Sequence, residues 1–530
     1  MSDGKMESWI AIDFGNSETR VAVYREDTVV VLTDENGQRS FPSTVVTNRK
    51  EMTVGIARPE IDLTQSPYES VIFDFKPRPL GPYYGVESCE RKRWAPMQHS
   101  RKYDLPFSTS VFHTTASEHK ANFVLTARAI FMKAKVIAEN AMGEKLENVV
   151  LTTQEHFSYG EKCALIQAAT EAGFDEVKTI SDTMAAAIYH AYQKKLNICD
   201  NLMVVNVGRT SMASSIVEVR NSNTFVAKSV NFSGHSAGRE LDVVLMGALS
   251  HKFRSLSTNE PSRCPFDLAP FGKLYFHSEA VKKGVMENET STAQMHHHLV
   301  NLVQHRNVTR KDLDKVFLPV YKKIENCIDK TVADVPGLQD YFWVEQLILV
   351  GGSCLIPKIE ELAQNTAMIT ADRHDNVQES TVLGAAIYAS SFSQTPALKD
   401  LRIYEKLTRG FFVCDGSTWI QLIAVGEHCP AEGSVELVNV YGDFVTLTIG
   451  ETYLDYKPSR ILVHKVDNRD SDKQPISVSL DISAQGLLLL TVRHRKDKAC
   501  IHHKEIVTDG EVDNVICCDS DVEDNAQRAH

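Results

Sequence analysis

The sequence lacks the marks of a secreted, membrane-spanning or disulfide-stapled protein. Residues 1–8 are polar, without an apolar stretch of signal-peptide type, and no uninterrupted apolar run approaches the roughly 18 residues that span a bilayer. The 11 cysteines include no Cys-x-x-Cys pair, so neither a disulfide framework nor a zinc module is indicated. We therefore expect a cytoplasmic protein, with the nucleus as a second location, and no membrane contact.

An excess of positive charge is also missing. The formal net charge is -12, which argues against a general nucleic-acid or anionic-membrane surface. His296, His297 and His298 do not suggest a metal site, because neighbouring side chains on a strand point to alternating faces. A chain of 530 residues is too long for one core and predicts two or three domains.

What the chain does contain is a Gly-centred hairpin close to its start. An apolar strand ends at Asp13, a turn with Gly15, Asn16 and Ser17 follows, and a second apolar strand begins near Arg20. Such a turn is typical of a phosphate-binding loop, in which backbone N–H groups face an anion and the carboxylate holds a hydrated metal. An ordinary strand-end turn has the same pattern, and this short motif alone does not separate the two.

The same pattern returns about 190 residues later, in residues 201–217. There the turn contains Gly208, Arg209 and Thr210. Two such hairpins that face each other can hold one triphosphate from both sides, so the duplication is more specific than either copy. A single lysine, Lys76, ends the apolar run 71–75 and is either a phosphate partner or a surface lysine.

The remaining segments up to residue 395 alternate strands and helices. We predict helices over 121–140, 159–172 and 181–194, strands over 148–153 and 177–180, and long helical material near 313–328 interrupted by Pro319. A small-residue loop with Gly238 opens another helix. Residues 346–358 predict a strand, a turn with Gly351, Gly352 and Ser353, and a helix start. The paired glycines let the backbone approach a flat ligand, and the helix N-terminus adds positive potential.

After residue 395 the periodicity changes to short strands. Segments 411–413, 419–424, 434–441, 444–449, 460–466, 476–482 and 486–493 alternate with turns, as in a β-sandwich. Residues 506–530 are acidic and poor in apolar side chains, and we predict a disordered tail.

These segments together resemble the seventy-kilodalton heat-shock chaperone (heat shock 70 kDa) family over residues 8–505. The resemblance rests on segments 12–17, 71–76, 201–217, 279–283, 349–358 and 477–486. It implies an α/β actin-like (ribonuclease H-like) two-lobed ATPase domain over 8–395, a linker over 396–407, and a β-sandwich domain over 408–505 that grips unfolded or nascent polypeptides. It also implies ATP/ADP with Mg²⁺ as ligands, and a J-domain co-chaperone and a nucleotide-exchange factor as partners.

Carried over by position, the resemblance assigns site roles to residues of the ATPase-like part alone. Asp13 is the metal ligand, and Lys76 and Asp182 are the catalytic pair. The nucleotide contacts are Gly15, Asn16, Ser17, Gly208, Arg209, Thr210, Gly238, Glu279, Lys282, Lys283, Gly351, Gly352 and Ser353.

Several of these positions depart from the family's pattern. Asn206 and Ala213 replace two metal-shell aspartates, and Asp182 replaces a glutamate. Loss of one preorganised group typically costs a hundred- to a thousandfold in rate, on the order of 3–4 kcal/mol, so we expect weak or no ATP hydrolysis. Leu355 and Lys283 replace the two base-stacking arginines, which predicts weakened nucleotide binding.

The Arg209 position leaves three interpretations open. Its guanidinium supplies charge to phosphates in place of a metal, fills the phosphate site and excludes nucleotide, or faces solvent. The linker keeps alternate apolar residues but carries Arg402, and the family's helical lid has no counterpart in the residues after 505.

Three functions fit these observations to different degrees. The first is an atypical chaperone that binds ATP and unfolded peptide with impaired hydrolysis. The second is a non-hydrolysing regulatory or scaffold partner, for example one bound to ribosomes with a J-domain protein. The third, a carbohydrate kinase on the same fold, is disfavoured because such enzymes lack the downstream β-sandwich.

Overall fold

The computed structural model describes most of the chain between residues 8 and 505. The described residues are 8–47, 52–57, 70–76, 110–113, 123–234, 236–254, 268–297, 302–335, 343–372, 377–393, 396–398, 400–414, 418–437, 444–452, 458–467, 476–483, 486–494 and 500–505. They form a mixed α/β fold with several separate sheets. In this part of the chain, no helix combines the length and the apolarity needed to cross a membrane. His298 and the predicted tail, 506–530, lie outside the described residues.

Two sheets are formed by the first ten strands. The strands are β1 (Trp9–Phe14), β2 (Glu18–Arg25), β3 (Thr28–Val31), β4 (Phe41–Pro42), β5 (Val45–Thr47), β6 (Met52–Val54), β7 (Ser70–Phe73), β8 (Ser110–His113), β9 (Asn148–Thr153) and β10 (Glu176–Ser181). The first sheet has the order β10-β9-β1-β2-β3, with β4 paired to β2. The small sheet has the order β6-β5-β7-β8, and it carries the segment that leads to Lys76.

The next seven strands form the second sheet and a separate hairpin. They are β11 (Cys199–Val207), β12 (Met212–Asn221), β13 (Thr224–Ser233), β14 (Thr290–His297), β15 (Leu302–Thr309), β16 (Gln346–Val350) and β17 (Arg402–Tyr404). The second sheet has the order β16-β11-β12-β13-β17. It repeats the plan of the first sheet, since β11 is antiparallel to β12 and parallel to β16, as β1 is to β2 and β9. The duplication predicted from the two hairpins is therefore present in the topology.

Eight helices are described. They are α1 (Phe123–Met142), α2 (Tyr159–Glu171), α3 (Asp182–Lys194), α4 (Gly238–Arg254), α5 (Leu268–Asn288), α6 (Arg310–Ala333), α7 (Pro357–Ala367) and α8 (Ser380–Ser390). The helices predicted over 121–140, 159–172 and 181–194 lie within two residues of the observed bounds, and the helical material predicted near 313–328 lies within the longer α6. Pro319 lies inside α6, which runs through it as one continuous helix.

The two sheets are buried on both faces, which explains their unbroken apolar strands. Along β1, Ile10 and Ile12 face a core with α1 and α2, whereas Trp9 and Ala11 face a core with α3 and α8. Along β11 the same alternation separates a core with α4–α7 from the core with α3 and α8. We call the first sheet with the small sheet, α1 and α2 the first half, and the second sheet with α4–α7 the second half; α3 and α8 lie between them.

The last eight strands form two antiparallel sheets that share one core. They are β18 (Gly410–Cys414), β19 (Trp419–Ile423), β20 (Ala431–Leu437), β21 (Phe444–Thr452), β22 (Ser459–Asp467), β23 (Ile476–Ile482), β24 (Leu488–His494) and β25 (Cys500–Glu505). The orders are β19-β18-β21-β22 and β20-β23-β24-β25, and apolar side chains of both sheets form a single cluster. We call these strands the C-terminal sheet pair. The predicted strand 434–441 begins earlier, at Ala431, and β25 was not predicted.

Helices α3 and α8 cross at a distance that only small residues allow. A Cβ atom built on Gly384 of α8 would lie 1.7 Å from the carbonyl oxygen of Ala185 in α3. Their alanine-rich faces therefore let two helices fit between two sheets.

We expect Gly384→Ala to destabilise the protein, because the added methyl group forces the two helix backbones apart. Overpacking of this kind costs about 1–3 kcal/mol, to be measured as a lower urea midpoint. Gly160→Ala is the matched control, because a Cβ there meets nothing within 4 Å. Equal stability of Gly384→Ala and wild type would contradict the assigned packing.

Candidate functional site

The two Gly turns follow the carboxyl ends of β1 and β11, each of which has a parallel neighbour in its sheet. Ligand sites in open α/β sheets form at such strand ends. Both turns close in the same way. The N–H of Gly15 donates to the oxygen of Glu18 at 3.2 Å, and the N–H of Gly208 donates to the oxygen of Ser211 at 3.0 Å. A Cβ on Gly15 would lie 2.4 Å from the Glu18 oxygen. Gly15 is thus required by the turn itself, and its N–H is used within the turn rather than offered to an anion.

A direct hydrogen bond joins the two turns. Asn16 Nδ2 donates to Thr210 Oγ1 at 2.5 Å, between residues that are 194 positions apart in the sequence. Asn16 Oδ1 also accepts the backbone N–H of Lys76 at 2.9 Å. The side chain of Asn16 is buried and connects three of the predicted segments. In the first turn, the Ser17 carbonyl oxygen accepts the Ser43 N–H at 2.9 Å.

Lys76 is a buried cation at the junction of the two turns, a region that we call the cleft. It is 2% exposed, and its ammonium donates to the carbonyl oxygen of Phe14. The same group lies 5.1 Å from the centre of the Phe14 ring and 5.5 Å from that of Phe157. Burial lowers the pKa of Lys76, while the carboxylates of Asp182 and Asp13 oppose that shift. The interpretation of Lys76 as a surface lysine is therefore wrong.

Three carboxylic acids surround this lysine. Asp13 accepts from Thr152 Oγ1 at 3.1 Å, and Asp182 accepts from Asn206 Nδ2 at 3.5 Å. Burial raises the pKa of Asp13, and burial with repulsion from Glu155 raises the pKa of Asp182 well above its usual range. The sequence-predicted residues Asp13, Lys76 and Asp182 thus belong to one electrostatically coupled group.

Glu155 is the member of this group that sequence reasoning missed. Its Oε1 accepts the backbone N–H of Thr183 at 2.8 Å, at the start of α3. Burial raises the pKa of Glu155 as well. The available signal was its position two residues after the fully buried strand β9, where a side chain is aimed at the same sheet edge as Asp13.

The carboxylic acids do not form a metal shell in this arrangement. Among the described residues, no group of three or more His, Cys, Asp or Glu side chains is placed to hold one metal ion. Asn206 donates to Asp182 instead of adding a carboxylate, and the Lys76 ammonium interacts electrostatically with Asp13 and Asp182. The residues present therefore do not fit a Mg²⁺–phosphate complex of the family's kind.

Arg209 lies at the centre of a buried ionic network. Its Nε and Nη2 donate to the two oxygens of Asp74 at 3.0 and 3.2 Å. Its Nη1 donates to Asp242 and lies 3.5 Å from Glu279 Oε2. The Arg209 side chain is 5% exposed. The solvent-facing interpretation is therefore wrong, and all three guanidinium nitrogens contact carboxylates.

Asp74 and Asp242 were not predicted as site residues. Asp74 follows β7 in a left-handed conformation, with φ of 49°, and its side chain is fully buried. Asp242 lies in the first turns of α4, and Lys282 Nζ is 2.6 Å from its Oδ1. The signal for Asp74 was an acidic residue inside an apolar run, two positions before Lys76.

The other predicted nucleotide contacts pack against one another in the second half. Gly238 N–H donates to the Gly208 oxygen at 3.0 Å, and Ser353 Oγ donates to the same oxygen at 2.9 Å. A Cβ on Gly238 would lie 2.6 Å from Ser353 Oγ. Lys282 donates to the Gly238 oxygen at 3.0 Å. These residues are brought together as predicted, but by mutual hydrogen bonds.

The Gly-Gly turn after β16 packs against the second hairpin. Gly351 has φ of 88°, and a Cβ there would lie 2.6 Å from both Asn206 Oδ1 and the Val207 oxygen. The next residue, Gly352, begins a short 3₁₀ helix, Gly352–Leu355. On α5, Lys283 is 3.1 Å from Glu279 Oε1, and its side chain is largely exposed. Leu355, the last residue of this 3₁₀ helix, is 55% exposed.

The predicted linker continues the second sheet. Residues 402–404 form β17, which pairs in parallel with β13. Two of its flanking residues are anchored: Glu405 Oε1 accepts the N–H of Ser181 at 2.8 Å, and Lys406 Nζ donates to the Lys228 oxygen at 2.7 Å. The segment is therefore bound to both halves.

The C-terminal sheet pair is docked on α2 and the loop before it. Glu451 of β21 accepts the N–H of Tyr159 at 3.0 Å and so caps the start of α2. Thr408 Oγ1 donates to the Glu155 oxygen at 2.8 Å, and Arg409 donates to the His156 oxygen at 3.2 Å. Tyr159 and Cys163 belong to the core of the sheet pair. The loop that places Glu155 in the cleft is thus also a contact of the sheet pair.

We expect this junction to weaken as pH rises. Burial raises the pKa of Glu161 on α2 from 4.5 to about 7, with Arg409 opposing and Glu451 adding to the shift. The stabilisation that comes from the protonated acid is complete below pH 4.5 and is lost as pH rises through about 7. In Glu161→Gln the side chain is neutral at every pH and keeps this stabilisation. The free energy of unfolding of the variant should therefore exceed that of wild type by on the order of 1–3 kcal/mol at about pH 8.

Urea unfolding of both proteins at acid and alkaline pH measures this difference. Glu171→Gln, at the exposed end of the same helix, is the control and should follow wild type. Parallel pH profiles for Glu161→Gln and wild type would contradict the assignment.

Comparison with known proteins identifies the family of this chain. Residues 9–527 match the family model described as Hsp70 protein. A heat shock 70 kDa protein of Emericella nidulans is 22% identical over 391 residues, which cover 72% of this chain and 58% of that relative. This chain thus spans little more than half of that protein's length. The family match, over nearly all of the chain, means that the protein belongs to the Hsp70 family.

Proposed function

We propose that this protein is an Hsp70-type chaperone that binds exposed segments of unfolded or nascent polypeptide and hydrolyses ATP weakly or not at all. In this proposal, residues 8–395 are a two-lobed, actin-like ATPase domain, 396–407 the linker, 408–505 the polypeptide-binding β-sandwich, and 506–530 a disordered tail. Its location is the cytoplasm. Partners of the family's kind are a J-domain co-chaperone and a nucleotide-exchange factor.

The observation that supports a chaperone most directly is the double role of Glu155. Its side chain lies in the cleft with Asp182 and Lys76, and its main-chain oxygen binds Thr408 next to the sheet pair. Glu155 therefore links the charged groups of the cleft directly to the unit that binds polypeptide in this proposal. A carbohydrate kinase lacks the downstream β-sandwich and therefore has no contact of this kind.

The weak hydrolysis rests on the chemistry of the cleft. Phosphoryl transfer to water depends on a placed metal and compensating charge rather than on covalent catalysis. Asn206 and Ala213 supply no carboxylate, and Lys76 is held by the Phe14 oxygen. With two charged groups absent, a rate reduced by at least about a hundredfold is expected.

The second candidate is a non-hydrolysing scaffold that works through a bound partner. It is favoured by Arg209, whose three guanidinium nitrogens contact the carboxylates of Asp74, Asp242 and Glu279. In that case the sheet pair serves as a docking unit for a J-domain protein or the ribosome.

Aggregation of a chemically unfolded client in the presence of the full chain tests the first candidate. We expect suppression that is the same with and without ATP and Mg²⁺, since hydrolysis does not drive it. An equal mass of serum albumin controls for nonspecific protection. No suppression, together with stable co-purification of a J-domain protein, would move the assignment to the scaffold.

Phosphate release measured beside a family member that retains both metal-shell aspartates tests the hydrolysis part. The expected turnover is at least about a hundredfold slower than that of the reference. Turnover equal to the reference would refute weak hydrolysis and leave the chaperone assignment to be judged by the client experiment.

A further inference from the structure

The ionic network around Arg209 joins the two halves across the cleft. Asp74 belongs to the small sheet of the first half, whereas Arg209 follows β11 and Asp242 lies in α4 of the second half. Asp74 contacts Arg209 through both carboxylate oxygens. We call Asp74, Arg209 and Asp242 the cross-cleft clamp.

The clamp has the features of an interaction that determines conformation. The side chains of Asp74 and Asp242 are fully buried, and that of Arg209 is 5% exposed. Paired charges in such a site are screened much less than surface pairs, and the planar guanidinium fixes the relative orientation of its partners. Asp74 is held in a left-handed conformation, which an aspartate tolerates and which aims its side chain at Arg209.

A second contact closes the cleft beside the clamp. The Asn16 side chain donates to Thr210, the residue after Arg209. Neighbouring positions of the second hairpin thus contact the first half twice. Thr210 accepts a neutral hydrogen bond from the first Gly turn, and Arg209 makes a bidentate ion pair with Asp74 beside the small sheet. Separation of the halves requires both to break.

The same network is poorly suited to bind phosphate. Three carboxylates, on Asp74, Asp242 and Glu279, surround the guanidinium of Arg209. A phosphate group has to displace them from Arg209 and approach their negative charges. Charge supplied to a phosphate by Arg209 is therefore disfavoured, and of the three sequence interpretations, occupation of the site by the arginine itself is supported.

We propose that the cross-cleft clamp holds the two halves closed in the place that nucleotide occupies in a nucleotide-driven relative, so that closure of this protein does not depend on ATP. The inference concerns closure alone, and it stands whether or not the sheet pair binds unfolded polypeptide. Arg209 acts here as a positioning residue.

The network allows the clamp to be removed without leaving every partner uncompensated. In Arg209→Met, Asp242 keeps Lys282 at 2.6 Å and Glu279 keeps Lys283 at 3.1 Å. Asp74 stays 3.7 Å from Arg239. Asp74→Asn is the second variant, since it keeps the shape of the side chain while removing its charge.

Arg39→Met is the matched control. Arg39 also makes a bidentate pair, with Glu379 at 2.6 and 2.9 Å, but its side chain is 52% exposed and lies outside the cleft. Its removal eliminates the same kind of ion pair without touching the clamp.

Amide hydrogen exchange of the two Gly turns, residues 14–19 and 207–212, measures closure in the full-length chain. Wild type and Arg39→Met should exchange slowly and equally with and without millimolar ATP and Mg²⁺. In Arg209→Met and Asp74→Asn, exchange at both turns should rise by about tenfold or more.

Two outcomes would overturn the clamp. One is wild-type exchange that slows on addition of ATP, and the other is unchanged exchange in both variants. Client aggregation is measured on the same samples, so loss of the chaperone assignment is recognised separately from loss of the clamp.

Discussion

The buried ionic network of Arg209 is the interaction around which the junction of the two halves is arranged. Arg209 extends from a hairpin turn, and its guanidinium contacts the carboxylates of Asp74, Asp242 and Glu279. Buried charges of this kind need partners, and the network supplies more than one, since Lys282 also pairs with Asp242 and Arg239 lies 3.7 Å from Asp74. The rest of the cleft is consistent with it. Asn16 and Thr210 meet beside the arginine, and Lys76 lies in a second group of carboxylic acids.

Sequence reasoning predicted the elements that carry periodic or turn signals. The two hairpins, the glycine turns and the strands of the sheet pair follow from local pattern, and most bounds agree within two residues. The resemblance also placed Asp13, Lys76 and Asp182 in one region. These predictions depend on residues whose environment is set by their own element, or by a topology repeated in the chain.

The partners of the buried charges could not be predicted in the same way. Asp74 and Arg209 are 135 positions apart, and neither residue has a local pattern that specifies the other. Glu155 was missed because its side chain takes its role from α3, which it meets only in the folded chain. The reason for Gly15 also differs from the predicted one, since the closure of its own turn already excludes a Cβ.

The pairing of β17 with β13 has a consequence for how the segment between the cleft and the sheet pair can be used. Without β17, the main-chain groups of β13 would form an unpaired sheet edge, which invites pairing with other chains. Release of this segment therefore carries a risk of self-association as well as a loss of contacts. Any partner that draws the segment away must cover that edge itself, ideally with a strand of its own. A connection that looks like a tether between two units is at the same time the protective border of a sheet.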